Sequence, residues 1–351
     1  MKKTMVLPVM VLLLLLTAAC SGAAGVDEEP PVVRLMTHDS FDISAELIAD
    51  FESETGIRVE VFKGGDGGEL VNKAILTKDA PLADVVFGID NTFLSRALEN
   101  DLFIPYESPL LENINDDLKL DPQFRVSPVD FGDICLNYDV EWFAESGVAP
   151  PNGVGDLIDP AYANLTVVQN PATSTPGLGF LLTTIEAFGE DGYIDYWRRL
   201  VENGVLVVDG WEQAYYSHFT AASDGDRPIV VSYATSPVAE VYFAEEPLTE
   251  SPTAAVLTSG SCFRQAEFIG ILNGTAVEEE ARLLIDFMLD TKFQEDIPLK
   301  MFVFPANNTV RLPDVFRQFG QVSTAPVDMD PVRIAENREA WIRAWTEAVL
   351  R

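Results

Sequence analysis

Hydrophobic and polar positions follow a regular succession of strand and helix patterns in the stretch after residue 31. The alternating and apolar runs predict strands at residues 32–36, 58–62 and 84–88, with helices at residues 41–55 and 69–77. A glycine at position 56 ends the first helical pattern. This β-α-β-α-β order predicts a parallel sheet covered by helices on both faces.

The same succession recurs after residue 160, so we expect two α/β units. The second unit has predicted strands at 166–169, 205–208 and 228–232, and predicted helices after Pro176, over 192–203 and from Glu212. A helix is also predicted over 278–288, and residues 298–305 are interpreted as an extended, aromatic segment. The carboxyl end, 331–350, predicts a helix whose one apolar face holds Ile334, Trp341, Ile342, Trp345 and Val349. Its two tryptophans are therefore expected to pack in the core.

Two further strand-like segments, 126–138 and 262–272, flank the second unit. Their placement predicts two crossings between lobes. Cys135 lies on one crossing and Cys262 on the other, and an oxidising compartment would allow them to pair. We therefore hypothesise a disulfide between neighbouring crossing strands; the alternative is two separate buried thiols.

The beginning of the chain carries an export signal. Lys2 and Lys3 precede an apolar run that ends in Thr-Ala-Ala-Cys at 17–20. This resembles the bacterial lipoprotein signal, in which the cysteine, here Cys20, becomes the lipidated first residue; the alternative is a plain cleaved signal peptide. Residues 21–31 are small, acidic and proline-containing, as expected of a flexible tether. No other stretch is long and apolar enough to span a bilayer, so the mature body is expected outside the cytoplasm.

The length and net charge of the chain limit its domain organisation and the kinds of ligand and partner that we expect. The chain has 351 residues, and the part after the tether suits two lobes better than one core. The net charge is −33, which argues against a nucleic-acid partner and would attract a cationic ligand, although a salty environment also explains such a charge. Two histidines and no clustered cysteines argue against a structural zinc site, and we expect neither a metal nor a cofactor.

The segment Asn-Pro-Ala-Thr-Ser-Thr-Pro-Gly-Leu-Gly, at 170–179, has the pattern of a helix start. Ser174 or Thr175 can act as the N-cap, Pro176 suits the first turn, and Gly177 allows a close approach to the backbone. A helix start leaves N–H groups and a positive dipole end free for an anion, a phosphate or a polar ligand atom. The alternative is an ordinary capped helix after a loop.

Chemistry-bearing residues cluster at the predicted carboxyl ends of the strands, where ligands of open α/β sheets bind. These segments are 37–40, 65–67, 88–91, 171–177, 209–211 and 233–237. Together they bring aromatic rings, carboxylates, hydroxyls and a helix start to one predicted cleft. This set suits a flat cationic heteroaromatic ligand, because aromatic faces stack on its ring and favour its charge.

From residue 32 to 350 the chain resembles the bacterial periplasmic thiamine-binding proteins, the solute receptors of thiamine ABC importers. The resemblance is carried by TSTPGLG at 173–179, GW-x-x-A-Y at 210–215 and SY-x-TSP at 232–237, in that order. The Thr-x-Asp-Ser-Phe opening at 37–41 and Gly-Ile-Asp-Asn at 88–91 add to it, as do Ile297-Pro298 and Pro305.

The resemblance implies the type II periplasmic-binding-protein fold, an α/β architecture of two lobes joined by two crossing strands with a ligand cleft between them. We expect one lobe to comprise residues 32–128 plus about 270–320 and the other 129–269, with a C-terminal helical segment, 321–351, packed on the lobes. It also implies capture of thiamine or a thiamine phosphate and delivery to an ABC-transporter permease by a monomer, which touches the membrane only through a lipid anchor on Cys20.

By the same resemblance, Asp66, Trp211 and Tyr233 correspond to the ring region of the ligand. Ser174, Thr175 and Gly177 would form its hydroxyl or phosphate end. Further ligand-binding candidates are His38, Asp39, Gly67, Asp90, Tyr215, Ser236 and Phe302.

The chain departs from the family at three cage positions. The family often has tyrosine at the position of His38, another aromatic residue at Ala239, and tryptophan at Phe302; Tyr242 lies three residues after the second of these. A phenylalanine still stacks, with a weaker cation–π attraction than tryptophan.

The sequence leaves two alternative functions open besides thiamine capture. One is a receptor of the same fold for another small solute, such as a metal ion, a carboxylate or a different cationic heterocycle. The other is a thiaminase-like enzyme, which uses a nucleophilic cysteine and a carboxylate base on a similar fold. Such a thiolate needs an electropositive or helix-start setting, and both Cys135 and Cys262 lie in strand patterns.

Overall fold

The computed structural model describes residues 29–327 and 329–351. The predicted signal sequence, Cys20 and residues 21–28 of the predicted tether lie outside the described residues. Residues 31–351 form one compact unit. Within the described ranges, no helix is long and apolar enough to cross a membrane.

Strands and helices alternate as the sequence pattern predicts. The strands are β1 (Val32–Thr37), β2 (Arg58–Lys63), β3 (Val85–Asp90), β4 (Phe103–Ile104), β5 (Ser127–Asp139), β6 (Thr166–Gln169), β7 (Leu206–Val208), β8 (Ile229–Tyr233), β9 (Thr253–Ala255), β10 (Phe263–Leu272) and β11 (Phe304–Pro305). The helices are α1 (Ala45–Thr55), α2 (Gly67–Leu76), α3 (Leu94–Glu99), α4 (Val140–Ser146), α5 (Thr175–Phe188), α6 (Tyr193–Glu202), α7 (Trp211–Gln213), α8 (Ser236–Tyr242), α9 (Glu278–Leu289), α10 (Thr291–Gln294), α11 (Ile297–Lys300), α12 (Asp314–Phe319) and α13 (Pro331–Val349). A π-helical turn, Ala214–His218, continues directly from α7.

The strands form one mixed sheet whose order confirms the predicted crossings. Along the sheet the order is β2-β1-β3-β10-β5-β8-β6-β7. The outer strands pair in parallel on both sides, whereas β10 runs antiparallel to β3 and β5, and β5 runs antiparallel to β8. The two long strands β5 and β10 therefore join two α/β lobes, the first containing β1–β3 and the second containing β6–β8. This is the two-lobed type II periplasmic-binding-protein architecture.

Burial along the strands explains why the sheet has this order. Every residue of β3, and all but one residue of β10, is buried, as expected of central strands covered on both faces. Strand β2 buries only one of its six residues and lies at the edge of the sheet. The central position of β10 matters for function, because any polar side chain on it is removed from bulk water.

Cys135 and Cys262 form a disulfide, which confirms the predicted pairing. Cys135 lies on β5, and Cys262 immediately precedes β10. The bond ties together the two strands that cross between the lobes and closes a chain separation of 127 residues.

The C-terminal helix packs as predicted. Trp341 and Trp345 are buried, and Trp345 meets Trp197 of α6 edge-on with ring centroids 5.5 Å apart. On the other side, the Arg338 guanidinium donates to the Thr92 carbonyl oxygen at 3.0 Å, next to α3. Helix α13 therefore contacts elements of both lobes.

One segment differs from its prediction. Residues 298–305 were expected to be extended, but Ile297–Lys300 form a helical turn and only Phe304–Pro305 pair as a strand. Pro298 occupies the first turn of that short helix, a position proline tolerates because the N–H it lacks would have no partner there. The first predicted helix also begins later, at Ala45, while the Ser44 hydroxyl donates to Asp296 at 2.8 Å.

Candidate functional site

A cleft lies where the carboxyl ends of the parallel strands of the two lobes face each other. Eight of the predicted ligand-binding residues line it: His38, Asp66, Thr175, Trp211, Tyr215, Tyr233, Ser236 and Phe302. They come from loops and helix starts that are far apart in sequence. Direct contact of these residues with a ligand stays a prediction, but their convergence on one cleft is a property of the fold.

The other five predicted residues lie behind the lining or at its rim. Asp90 is buried and accepts a hydrogen bond from the Thr175 hydroxyl, so it positions Thr175 from below. A Cβ at Gly67 would lie 2.0 Å from that hydroxyl oxygen, so glycine permits the close approach of α2. Gly177 packs similarly against the backbone of Gln169 and Asn170.

Ser174 and Asp39 complete this supporting group. Ser174 occupies the N-cap position of α5 and is fully buried, but its side chain makes no capping hydrogen bond, contrary to the capping role considered for it. Asp39 lies in an adjoining opening at the mouth of the cleft and accepts from the Gly65 amide at 3.2 Å. Neither side chain lines the cleft itself.

Aromatic side chains of the second lobe form one wall. The rings of Trp211 and Tyr215 stack with centroids 5.1 Å apart and planes inclined by 24°. The indole N–H of Trp211 donates to Ser232 Oγ at 2.8 Å, and the Tyr233 hydroxyl donates to Gln265 Oε1 at 2.6 Å. These hydrogen bonds fix the orientation of both rings, so the wall is preorganised for stacking.

Phe302 faces the cleft from the segment between α11 and β11. Its backbone lies in the left-handed region, with φ of 55°, which is uncommon for a residue with a side chain. Its ring contacts Tyr242 and Phe243, with centroids 5.9 and 5.4 Å away. Tyr242 follows Ala239 by three residues on α8 but does not itself line the cleft.

Asp66 joins the two lobes at the cleft. It is the N-cap of α2, where its Oδ1 accepts from the Gly67 amide at 2.7 Å, and its Oδ2 accepts from the Trp211 amide at 3.2 Å. Burial raises the pKa of this carboxyl above its usual value. The sequence placed Asp66 correctly at the cleft, although its capping role follows only from the structure.

Glu267 is a lining residue that the sequence analysis missed. It lies in the middle of β10, and only 7% of it is exposed. A glutamate directly before the apolar half of a crossing strand, Phe268–Leu272, was the available signal, because charged residues are rarely buried without a partner. Burial raises the pKa of Glu267 well above the usual glutamate value, and the neighbouring charge of Asp130 adds to this effect.

His38 supplies a neutral polar group. Burial, reinforced by the positive charge of Lys63, lowers the pKa of His38 to about 3. Its Nε2 lies 3.7 Å from Glu267 Oε2, but a neutral imidazole makes this a polar contact and not an ion pair. Among the described residues Nε2 has no hydrogen-bond partner, so it is available to a ligand. Within the part of the chain that the structure describes, no lysine or arginine lines the cleft.

The two lobes touch directly around this cleft, so the described conformation is closed. Besides the Asp66 and Asp90 contacts, the Gly68 amide donates to the Thr173 carbonyl oxygen at 3.0 Å, and Ser40 Oγ lies 3.5 Å from Glu212 Oε1. Each of these contacts connects a first-lobe loop or helix start with a second-lobe loop. A closed cleft encloses a ligand from both sides.

The geometry bears on the two alternative functions. Among the described residues, no group of three or more histidine, cysteine, aspartate or glutamate side chains is arranged to hold a metal ion. Cys135 and Cys262 are consumed by the disulfide and do not line the cleft, so neither offers the thiolate that a thiaminase-like reaction requires.

Comparison with known proteins agrees with the fold and the cleft. The chain is 29% identical to the thiamine-binding periplasmic protein of Escherichia coli (strain K12), over 92% of this chain and 94% of that protein. It is 28% identical to the protein of the same name from Brucella suis biovar 1 (strain 1330), over 98% and 99% of the two chains. A solved structure of a periplasmic thiamin binding protein aligns with a TM-score of 0.80 at 28% identity, covering 92% of this chain and 97% of that one. The profile of bacterial extracellular solute-binding proteins matches residues 80–318, and the chain belongs to this family.

Proposed function

We propose that this protein captures thiamine outside the cytoplasm and delivers it to an ABC-transporter permease. The observation that carries the proposal is the pairing of an aromatic wall with buried carboxylates. Trp211 and Tyr233 line the cleft together with Asp66 and Glu267, and no lysine or arginine of the described residues is among its lining. Thiamine combines flat heteroaromatic rings with a permanent positive charge, which is the chemistry that such a cleft favours. The named relatives bind thiamine, in support of this choice.

Each part of the cleft suits a different part of the ligand. The aromatic wall and Phe302 would stack on the rings, and the carboxylates of Asp66 and Glu267 would face the cation and the amino group. The hydroxyls of Thr175 and Ser236 would reach the hydroxyethyl end, near the start of α5. This division gives the aromatic rings, the two carboxyl groups and the two hydroxyls complementary partners and requires no bond-making chemistry.

The mouth of the cleft favours thiamine over its phosphates. The adjoining opening carries the carboxylates of Asp39, Asp66, Glu69, Asp209 and Glu212. This field attracts a cation and repels a phosphate ester, and the positive end at the start of α5 compensates only part of the repulsion. We therefore expect thiamine to bind at least as tightly as its monophosphate and more tightly than its diphosphate.

Capture and release would follow from lobe closure. The contacts of Gly68 on α2 with Thr173 and of Asp90 on β3 with Thr175 exist only when the lobes meet, and a ligand that touches both lobes stabilises that arrangement. A permease that binds the closed form and favours the open one would then receive the ligand.

Calorimetric titration of the soluble domain tests the proposal. The domain, from residue 21 onward, would be titrated with thiamine and its mono- and diphosphate at two salt concentrations. Submicromolar one-to-one binding of thiamine, weaker at high salt, is the expected result. Absence of heat with all three ligands, from protein shown to be folded by circular dichroism, would mean that the altered aromatic cage takes another solute.

Export, anchoring and oligomeric state belong to the same proposal. The relatives are periplasmic by name, which supports export of this chain. We propose that Cys20 carries the lipid; labelling cells with radioactive palmitate should mark the wild type and not a Cys20→Ala variant. Light scattering should give the mass of one chain, and a larger mass would refute the monomer.

A further inference from the structure

Three buried carboxyl groups lie side by side at the bottom of the cleft, and of these only Glu267 lines it, whereas Asp90 and Asp130 lie behind the lining. In the sheet, Glu267 of β10 is the register partner of Asp90 on β3 and of Asp130 on β5. Register partners project to the same face, so the three carboxyl groups form a row across three adjacent strands. Register shifts directly after Glu267 and Phe268 bend β10 at this point, and such bulges redirect side chains near binding sites.

The members of this row have unequal hydrogen-bond partners. Asp90 accepts from the Thr175 hydroxyl and from the Thr92 amide at 2.6 Å. Asp130 is 1% exposed, and within the described chain no donor reaches either of its carboxylate oxygens. Its cross-strand neighbour Glu267 is another carboxyl group. A proton held between Asp130 and Glu267 would give the two carboxyl groups a shared hydrogen bond, as in other pairs of close carboxyls.

The groups facing this pair do not neutralise it. They are Asp90 on β3, His38 after β1, Asp66 at the start of α2 and Tyr233 at the end of β8, with Lys63 of β2 behind His38. The segment at 301–303 and the start of α5 bring no titratable side chain to the cleft. Burial raises the pKa of Asp130 to about 7 and that of Glu267 well above its usual value.

We propose that Glu267 sets the preference of the cleft for a positively charged ligand, and that it does so by releasing a proton shared with Asp130 when the ligand binds. The inference rests on the proposed function, because it takes the thiazolium cation of thiamine as the incoming charge. When the cleft is empty, the proton keeps the pair from carrying two buried negative charges. When the cation arrives, it stabilises the ionised Glu267, and the proton passes to solvent.

The consequence is that thiamine affinity depends on pH in a defined direction. Below the pKa of the pair, binding must displace a proton, so the apparent affinity falls as pH falls. Above it, the pair is already ionised and the affinity levels off. Calorimetry in two buffers with different ionisation enthalpies measures the number of protons released, and at about pH 6 we expect roughly 0.5–1 proton per bound thiamine.

Two isosteric variants separate the roles of the pair. Glu267→Gln removes the charge that faces the ligand, and we expect the dissociation constant to rise about 30-fold or more and proton release to be lost. Asp130→Asn removes the carboxyl that shares the proton but leaves Glu267 buried, so we expect Glu267 to lose its proton at lower pH than in the wild type and proton release at about pH 6 to be smaller. Glu347→Gln, which changes an exposed carboxylate of α13 outside the cleft and its mouth, is the control and should leave affinity and proton release unchanged.

The outcomes distinguish this inference from the proposed function. Wild-type protein that binds thiamine with the same heat in both buffers and with a pH-independent affinity would overturn the inference and leave the thiamine receptor intact. A Glu267→Gln variant with wild-type affinity and proton release would do the same. Wild-type protein that binds no form of thiamine would overturn both. The buffer comparison on the wild type needs no variant, so a variant that fails to fold does not remove the test.

Discussion

Replacing Trp211 by alanine should cause a large loss of thiamine affinity. The indole lies in the aromatic wall, stacked on Tyr215 and held by its hydrogen bond to Ser232. A cation over a desolvated indole gains about 2 kcal/mol. Removal of an anchoring aromatic side chain from the centre of a binding site costs about 2–4 kcal/mol in all. We therefore expect the dissociation constant of Trp211→Ala to rise about 30- to 1000-fold.

A graded series makes the physical reason testable. Ser232→Ala leaves the indole in place but removes the acceptor that fixes its orientation, which should cost about 1 kcal/mol, or roughly a fivefold loss of affinity. Trp142→Phe changes a partly buried tryptophan on α4 outside the cleft and should leave the affinity within about twofold of wild type. Titration calorimetry of the three variants, with circular dichroism as the test of folding, gives the comparison.

Two results would contradict stacking of the ligand on Trp211. If folded Trp211→Ala binds thiamine as tightly as the wild type, the aromatic wall does not contact the ligand. If Ser232→Ala loses as much affinity as Trp211→Ala, the effect comes from disruption of the second-lobe loop and not from stacking. Either result would move the ligand away from this wall.

Three further predictions concern the frame of the site. Cys135→Ser should lower the free energy of unfolding by about 4–5 kcal/mol by the loop-entropy estimate for a separation of 127 residues, and an unchanged urea midpoint would contradict this. Gly67→Ala places a methyl group 2.0 Å from the Thr175 hydroxyl oxygen, so we expect hindered lobe closure and a loss of thiamine affinity equivalent to about 1–3 kcal/mol. The control is Gly155→Ala, whose Cβ would approach no atom closer than 4.0 Å, and this variant should bind thiamine normally in the same titration. Because the pKa values of Asp130 and Glu267 are raised, the folded state holds protons that the unfolded chain has already lost. The free energy of unfolding without ligand should therefore fall as pH rises from about 5 to about 8. Asp130→Asn should flatten this pH dependence in urea unfolding, and an equally steep profile would count against a buried pair.

The closed cleft also explains why supporting residues matter as much as lining residues. Gly67 allows α2 to approach the second lobe, and Asp90 holds the Thr175 hydroxyl from behind. Neither residue lines the cleft, yet both determine how closely the lobes meet. Substitutions at these positions therefore act on closure before they act on ligand chemistry.

The local pattern of the chain determined the alternating strands and helices, the two α/β units and the crossing strands. These features follow from hydrophobic periodicity and from turn residues, which act over a few neighbouring positions. The short motifs around Asp66, Trp211 and Tyr233 also carried enough information to place these residues at strand ends. The placement of Cys135 and Cys262 on the two crossings allowed a disulfide to be hypothesised, and the structure decided between this bond and two separate buried thiols.

Only the tertiary structure decided which residues share the cleft and which support it. The carboxylate row of Asp90, Asp130 and Glu267 depends on the register of three strands that are distant in sequence, and no local pattern encodes that register. The segment at 298–305 was misjudged because its apolar and aromatic residues fit an extended strand as well as a helical turn, and packing of Ile297 and Pro298 in the core selected the turn. Side-chain chemistry is local, but burial and proximity, which shift the pKa values and form the site, arise only when remote strands pair.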